Sequence, residues 1–428
     1  MMLILLLILA LVGMPLFAVI AIAAMGGYRA VDLDLALVAM EFQRIADMPA
    51  LVAAVLFYFA GTLVINSHIP ERLVEFIRTA SRGAGGRFTS LAILLVALFT
   101  AFAGVAGFTI ILLAALMMSV IARSDGQRQV ALGVVSSSSV PGALLAPSMA
   151  LILYAAVTQQ VRPGQGVAVH EMFLAGVVPA LLILAMLIVH FAWRHRTAAP
   201  SLASGDQSLW SGLKANAWEL PLPFVILGGI YSGWMPITDA AAITAAWLLI
   251  SLLVIRREIA WTRLPGIIRQ AMMHVGALLL LLGVSLALSA VLVATGTLQE
   301  LYDAILPRVG HPVVLLVLLN LLLLGVGMLV NLYAAIAIMA PLVIPLAQSF
   351  GVDPVHLGIV LIAGVQIGFY IGMPESSRRR VASPGRDGDS ATAIHGVPAI
   401  GSISAALALA LLIITLWPAL SLWLPGRL

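Results

Sequence analysis

No cysteine occurs anywhere in the chain, so neither disulfides nor thiolate-bound metals are available to it. Charge is equally scarce: only 9% of residues are Asp, Glu, Lys or Arg, against 62% hydrophobic. A soluble fold with so little charge could not cover its apolar surface, and the long greasy runs that result belong in a bilayer. The net charge of +4 comes from basic residues in short connections between apolar spans. They form no continuous basic surface, which excludes nucleic acid as a partner. No nucleophile–base pairing and no metal-ligand spacing is present, so an enzyme is excluded as well. Basic residues are also lacking before the first apolar stretch, Met1-Met2-Leu3-Ile4-Leu5-Leu6, where a cleavable signal would carry them. Residues 2–26 therefore read as a retained membrane helix.

What is present is an unusual set of interruptions. At 428 residues there is room for roughly ten to fourteen crossings of about 20 residues each. Several apolar spans are broken by Gly, Pro and Ser: residues 103–107, 136–147 and 325–333. Unwound backbone at bilayer depth is tolerated only where it is buried in protein or lines a water-filled cavity. That pattern predicts a transporter.

The organisation along the chain supports this. Residues 1–85 hold the first spans and a short amphipathic helix around Ile69-Pro70-Glu71-Arg72, with Leu73, Phe76 and Ile77 on one face, suited to the interface. Residues 86–193 hold a hairpin broken near Gly104 and Gly107, a span split within residues 136–147, and a further span. A polar stretch, residues 194–217, precedes a pair of apolar runs in residues 218–273 that meet at Gly233-Trp234-Met235-Pro236. Arg194, Arg196 and Lys214 lie before that pair and Arg256, Arg257, Arg263 and Arg269 after it, so a hairpin would put both clusters on the cytoplasmic side. Residues 274–428 repeat the order of the first half. Glu71-Arg72-Leu73-Val74-Glu75-Phe76-Ile77 resembles Gln299-Glu300-Leu301-Tyr302-Asp303-Ala304-Ile305. Gln129-Val130-Ala131-Leu132-Gly133 parallels Pro354-Val355-His356-Leu357-Gly358, again at an offset of about 225 residues. Repeats with interrupted helices at matching places point to a secondary transporter with its site at the repeat interface.

Specific residues carry a family resemblance. Gly228-Gly229-Ile230-Tyr231-Ser232-Gly233-Trp234-Met235-Pro236-Ile237-Thr238-Asp239-Ala240-Ala241-Ala242 is similar to the GGIYSG…TPTEAAA run of the large membrane subunit of tripartite ATP-independent periplasmic (TRAP) transporters of the dicarboxylate and sialic acid type. Gly13-Met14-Pro15, Ile69-Pro70-Glu71-Arg72, Phe173-Leu174-Ala175-Gly176, Gly351-Val352-Asp353-Pro354 and the ending Pro418-Ala419-Leu420 follow the family's order over nearly the whole length. The resemblance implies an all-α polytopic membrane protein of two inverted repeats, each with a re-entrant hairpin and a broken helix. It implies an elevator-type transport domain sliding against a scaffold in the bacterial inner membrane. Its implied partners are a small four-helix membrane subunit, a periplasmic binding protein and an organic-acid substrate. No cofactor is expected beyond sodium as the coupling ion.

For an anionic substrate the useful groups are N–H groups at half-helix N-termini; for sodium they are unwound carbonyls and hydroxyls. The candidate site is Gly104, Gly107, Ser138, Ser139, Gly142, Pro147, Ser148, Asn331, Ala335 and Gly368, with sodium near Ser139, Gly142 and Asn331. The serines could instead bond back to the preceding turn, and Asn331 could instead link two helices. His356 reads as structural, and Asp239 as a first-turn acid complementing a helix dipole.

Departures from the family concern the chemistry. The first hairpin tip, Gly104-Val105-Ala106-Gly107-Phe108, lacks the family's serines, residues 110–113 lack its acid, and Asn331 stands where a GMxxD-like motif has a carboxylate. After Gln366-Ile367-Gly368 the chain reads Met373-Pro374-Glu375-Ser376-Ser377-Arg378-Arg379-Arg380 and stays polar to His395. Such a segment cannot sit in hydrocarbon. It is either an extruded loop or a reading-frame error, and the clean resumption of the pattern from Val397 favours the second.

Overall fold

In lipid a backbone has no partner but itself, so an apolar chain of this kind is driven into helices. The computed structural model describes residues 12–81, 85–103, 125–161, 164, 166–194, 217–218, 221–309, 311–372 and 397–427, and every regular element among them is helical. The first half comprises α1 (Leu16–Ala30), α2 (Ala36–Ala46), α3 (Pro49–Ile65), α4 (Ile69–Ala80), α5 (Gly85–Ala103), α6 (Asp125–Gly142), α7 (Met149–Val161) and α8 (Val169–Arg194). The second comprises α9 (Pro221–Tyr231), α10 (Ile237–Leu249), α11 (Leu264–Ala294), α12 (Thr297–Val309), α13 (Pro312–Leu329), α14 (Leu332–Ser349), α15 (Pro354–Gly372), α16 (Val397–Leu416) and α17 (Ala419–Leu422). α10 runs on as a π-helical segment, Ile250–Ile255.

Six of these helices are long and apolar enough to span a membrane, or seven if the pair α2 and α3, bent by 66°, counts as one. That is fewer among the described residues than the ten to fourteen expected from length. Only the described residues enter that count; among them the helices at Ile69–Ala80 and Thr297–Val309 are amphipathic, and α1, α7 and the described parts of α5 and α16 are apolar but shorter. α1 also differs from expectation. It does not end at Gly26-Gly27 but passes through them to Ala30. Gly27 is there because α1 lies against α11, where any Cβ would strike the side chain of Val291.

The order of elements repeats along the chain. α3, α4, α5 and α6 are matched in order by α11, α12, α13 and α15: a span, an amphipathic helix, an apolar helix and a later helix packed against it. α5 packs along α6 and α13 along α15, while α10 covers α3 and α14 lies between α7 and α11. α4 has Glu71 in its first turn and Arg78 in its last, both opposing the helix dipole, and buries Val74 and Ile77. Its start is tied to the far side of the chain. Glu258, just past the π-helical segment, pairs with Arg72 and accepts from the His68 backbone N–H at 3.0 Å.

Candidate functional site

Two of the interruptions expected from the sequence lie among the described residues. The first separates α6 from α7. Residues 136–142 are helical, so the unwound stretch is narrower than residues 136–147 and covers Ala143 to Ser148. The serines explain this. Ser137 donates to the Gly133 carbonyl at 2.6 Å, Ser138 to the Val134 carbonyl at 2.5 Å, and Ser139 to the Ser136 carbonyl at 2.7 Å. Hydroxyls used in this way follow the helix rather than uncoil it. Pro141, in the last turn, cannot supply an N–H to the carbonyl one turn back, and the helix ends one residue later. Ser148 then starts α7: its hydroxyl donates to the Ala143 carbonyl at 2.6 Å and accepts from the Ala150 N–H at 3.2 Å. Pro147 follows a cis peptide bond. All but Leu145 of this stretch is buried, as uncoiled backbone in a membrane must be.

The second break is the tip of the hairpin made by α13 and α14. Only Val330 and Asn331 are unwound. Asn331 is the N-cap of α14, its Oδ1 accepting from the Ala334 N–H at 2.9 Å while its carbonyl accepts from Ala335. Next to it Met328 and Leu329 are exposed, and the positive end of the α14 dipole lies at this tip. Ala335 is fully buried within α14. Gly104 and Gly107, the rest of that first hairpin, and residues 373–396 lie outside the described residues.

Glycines hold the two halves in matching poses. A methyl group on Gly142 would come to 2.6 Å from the Ala97 carbonyl oxygen on α5. A methyl group on Gly368 would collide with the Leu324 carbonyl oxygen on α13. These two close approaches are equivalent in the two repeats to within one residue. On α15 the contact extends: Gly364, Gly368 and Gly372, four apart, all meet α13, and Gly327 on α13 meets Val365 in return. Small residues at this spacing let helix backbones approach closely in lipid.

Between the halves, the Gln366 amide donates to the Ser139 hydroxyl at 3.3 Å, across 227 positions. The two residues sit on α6 and α15, the helices that correspond in the two repeats, although at the offset of 225 that pairs Gly133 with Gly358 the counterpart of Ser139 is Gly364. Both side chains are buried, and the Gln366 Oε1 has no hydrogen-bond partner. A second inter-element bond lies beside α14. Pro345 has no N–H for the Pro341 carbonyl, and the Ser289 hydroxyl of α11 donates to that carbonyl at 3.3 Å instead. His356 is buried and hydrogen-bonded to Ser421 at 2.7 Å, a structural placement. Asp239 lies in the first turn of α10, as expected.

Gln366, Ser289 and Glu258 were not candidates on sequence. Two of them had a signal. Gln366 is the one polar side chain between Leu357 and Phe369 in α15, and Pro345 leaves a carbonyl that needs a hydroxyl. Among the described candidate residues there is uncoiled backbone at Ala143 to Ser148, a capped helix start at Asn331, and neutral hydroxyl and amide oxygens. Among the described residues no cluster of three or more His, Asp or Glu could hold a metal ion.

Residues 1–376 match the family described as "Tripartite ATP-independent periplasmic transporter, DctM component", and the match ends just beyond α15. The chain is 27% identical to the C4-dicarboxylate TRAP transporter large permease protein DctM of Pseudomonas aeruginosa, over 91% of this chain and 89% of that protein. It is 25% identical to the 2,3-diketo-L-gulonate TRAP transporter large permease protein YiaN of Escherichia coli, over 78% of each. It is 27% identical to the sialic acid TRAP transporter large permease protein SiaM of Vibrio cholerae, over 75% and 74%. In solved structures it resembles the YdaH transporter of Alcanivorax borkumensis, with a TM-score of 0.58 and 15% identity, covering 91% of this chain and 88% of that one.

Proposed function

Because the chain belongs to the DctM component family of TRAP transporters, as a polytopic permease subunit and not an enzyme, we propose that it imports a carboxylate-bearing solute into a bacterial cell across the inner membrane. The solute is a C4-dicarboxylate, sugar acid or similar compound, handed over by a periplasmic binding protein, with a small four-helix membrane subunit as the second partner. A sodium gradient drives entry. The observation that carries this reading is the start of α14 at Asn331: a helix N-terminus at the tip of an apolar hairpin, with exposed residues beside it. Such an end attracts a carboxylate through its N–H groups and dipole. The hairpins and broken helices form the moving body, which the glycine contacts of α5 with α6 and α13 with α15 favour. The rest of the spans form the scaffold.

The test is reconstitution with both partners in proteoliposomes, following uptake of labelled organic acids under imposed sodium gradients. Accumulation that follows the sodium gradient is expected; equal uptake with and without it removes sodium coupling, and no uptake of any acid removes transport. One observation favours a second reading, a non-transporting relative with a structural role: Asn331 is neutral where the resembling motif carries a carboxylate. Asn331→Asp separates the two. Asn and Asp cap equally well, so stability should not change. Gain of sodium-dependent uptake only in that variant would assign the natural chain to the second reading.

A further inference from the structure

The turn between α10 and α11 carries a concentration of positive charge that neither the helix breaks nor the repeat explains. Arg256, Arg257, Arg263 and Arg269 fall within fourteen residues, with Glu258 as the single acid among them. Glu258 is already engaged by Arg72 and by the His68 backbone N–H. Arg257, Arg263 and Arg269 are exposed and have no acidic partner among the described residues. The turn is ordered. Glu258 and Ile259 both donate backbone N–H groups to the Leu252 carbonyl, Arg263 donates to Ala260, and Ile259 is buried as an anchor. Arg257 takes a φ of 54°, which turns the chain sharply out of the π-helical segment.

The surroundings of these arginines are apolar and outward-facing. Ile268, Met272, Met273 and Leu280 are exposed along one stripe of α11, and Arg269 sits on that stripe at its end nearest the turn. Val254 and Ile255 of the π-helical segment are exposed on the other side of the turn, and Trp261 is 67% exposed within it. An apolar stripe in lipid, closed by an arginine and an indole at the headgroup level, is the arrangement of a side chain that snorkels to the interface.

We propose that this turn binds the phosphate headgroups of anionic phospholipids in the leaflet it faces. The guanidinium groups of Arg257, Arg263 and Arg269 take the phosphate oxygens, and Ile268, Met272 and Met273 lie along the acyl chains. Arginine suits this role because its planar donors match phosphate and its charge persists at any physiological pH. The lipid acts on α4 as well, since Glu258 joins the same turn to Arg72. A charged partner protein is the competing occupant, but the long exposed apolar stripe continuous with the arginines fits lipid better.

The test uses the full chain purified in detergent and returned to bilayers of phosphatidylethanolamine with or without phosphatidylglycerol. Native mass spectrometry after release counts the phosphatidylglycerol retained. The wild type should keep it, and Arg257→Gln/Arg263→Gln/Arg269→Gln should weaken retention by roughly a hundredfold, each basic residue near an anionic surface contributing about fivefold. Arg29→Gln, in the last turn of α1, whose Gly27 packs on Val291 near the opposite end of α11, is the control and should match the wild type. Thermal melting in zwitterionic lipid should be equal for all three proteins, which shows that the triple variant folds. Equal retention by the triple variant overturns the proposal. So does unchanged lipid retention with loss of a co-purifying small subunit, which assigns the surface to protein.

Discussion

A single methyl group tests how closely the helices meet. Gly368 lies against the Leu324 carbonyl oxygen, with backbone rather than a flexible side chain in the way, so neither side can yield cheaply. Gly368→Ala should destabilise the protein by about 1–3 kcal/mol or more, the usual cost of overpacking a filled core. Gly401→Ala, where nothing lies within 4 Å, should leave it unchanged or slightly more stable. Thermal melting of the two variants in detergent measures the contrast; equal melting would mean that α13 and α15 are not pressed together. At this scale the sequence is only partly legible. Gly26 and Gly27 look like a helix end and are a helix interior, because composition does not distinguish a glycine that stops a helix from one that admits a neighbour. The serines of α6 look like a break for a related reason: their hydroxyl bonds run to the preceding turn, and nothing local in the sequence says so.

At the scale of the element, α14 contains both Pro341 and Pro345 and so gives up two backbone donors. The carbonyl of Pro341 is one of the acceptors left over, and Ser289 of α11 satisfies it. Removing the hydroxyl by Ser289→Ala should cost about 0.5–1 kcal/mol, the range of hydrogen bonds between helices in membranes. In a Pro345→Ala background an N–H returns to that carbonyl, and the same Ser289→Ala change should then cost almost nothing. A double-mutant cycle of unfolding free energies reads the difference; additive effects would show that the bond at 3.3 Å contributes nothing. Element identity was readable from sequence wherever period or composition was strong, as in α3, α4, α10 and α15. Partners were not. A hydroxyl 52 positions away from its carbonyl, or an acid 186 positions from its arginine, leaves no periodic trace.

For the whole molecule, the absence of native cysteine makes movement directly testable. Ser289→Cys with Pro341→Cys joins α14 to α11 across the proposed boundary between the moving body and the scaffold. Bridging the two thiols should abolish uptake in proteoliposomes, and reduction should restore it. Uptake that survives full bridging would place α11 and α14 in one body. The repeat was legible from the order of the elements and from two short matches, because an amphipathic helix followed by a broken hairpin is a pattern that survives divergence. How the halves meet was not legible, since that depends on which faces of α6 and α15 turn inward.

The bond between Ser139 and Gln366 has a historical consequence. At the offset of 225 that pairs Gly133 with Gly358, the two partners are not copies of one another. The reciprocal pair would join Pro141 to Gly364, and neither side chain can make a hydrogen bond. This contact therefore exists once and not twice, so the centre of the molecule has become asymmetric, as duplication followed by divergence permits.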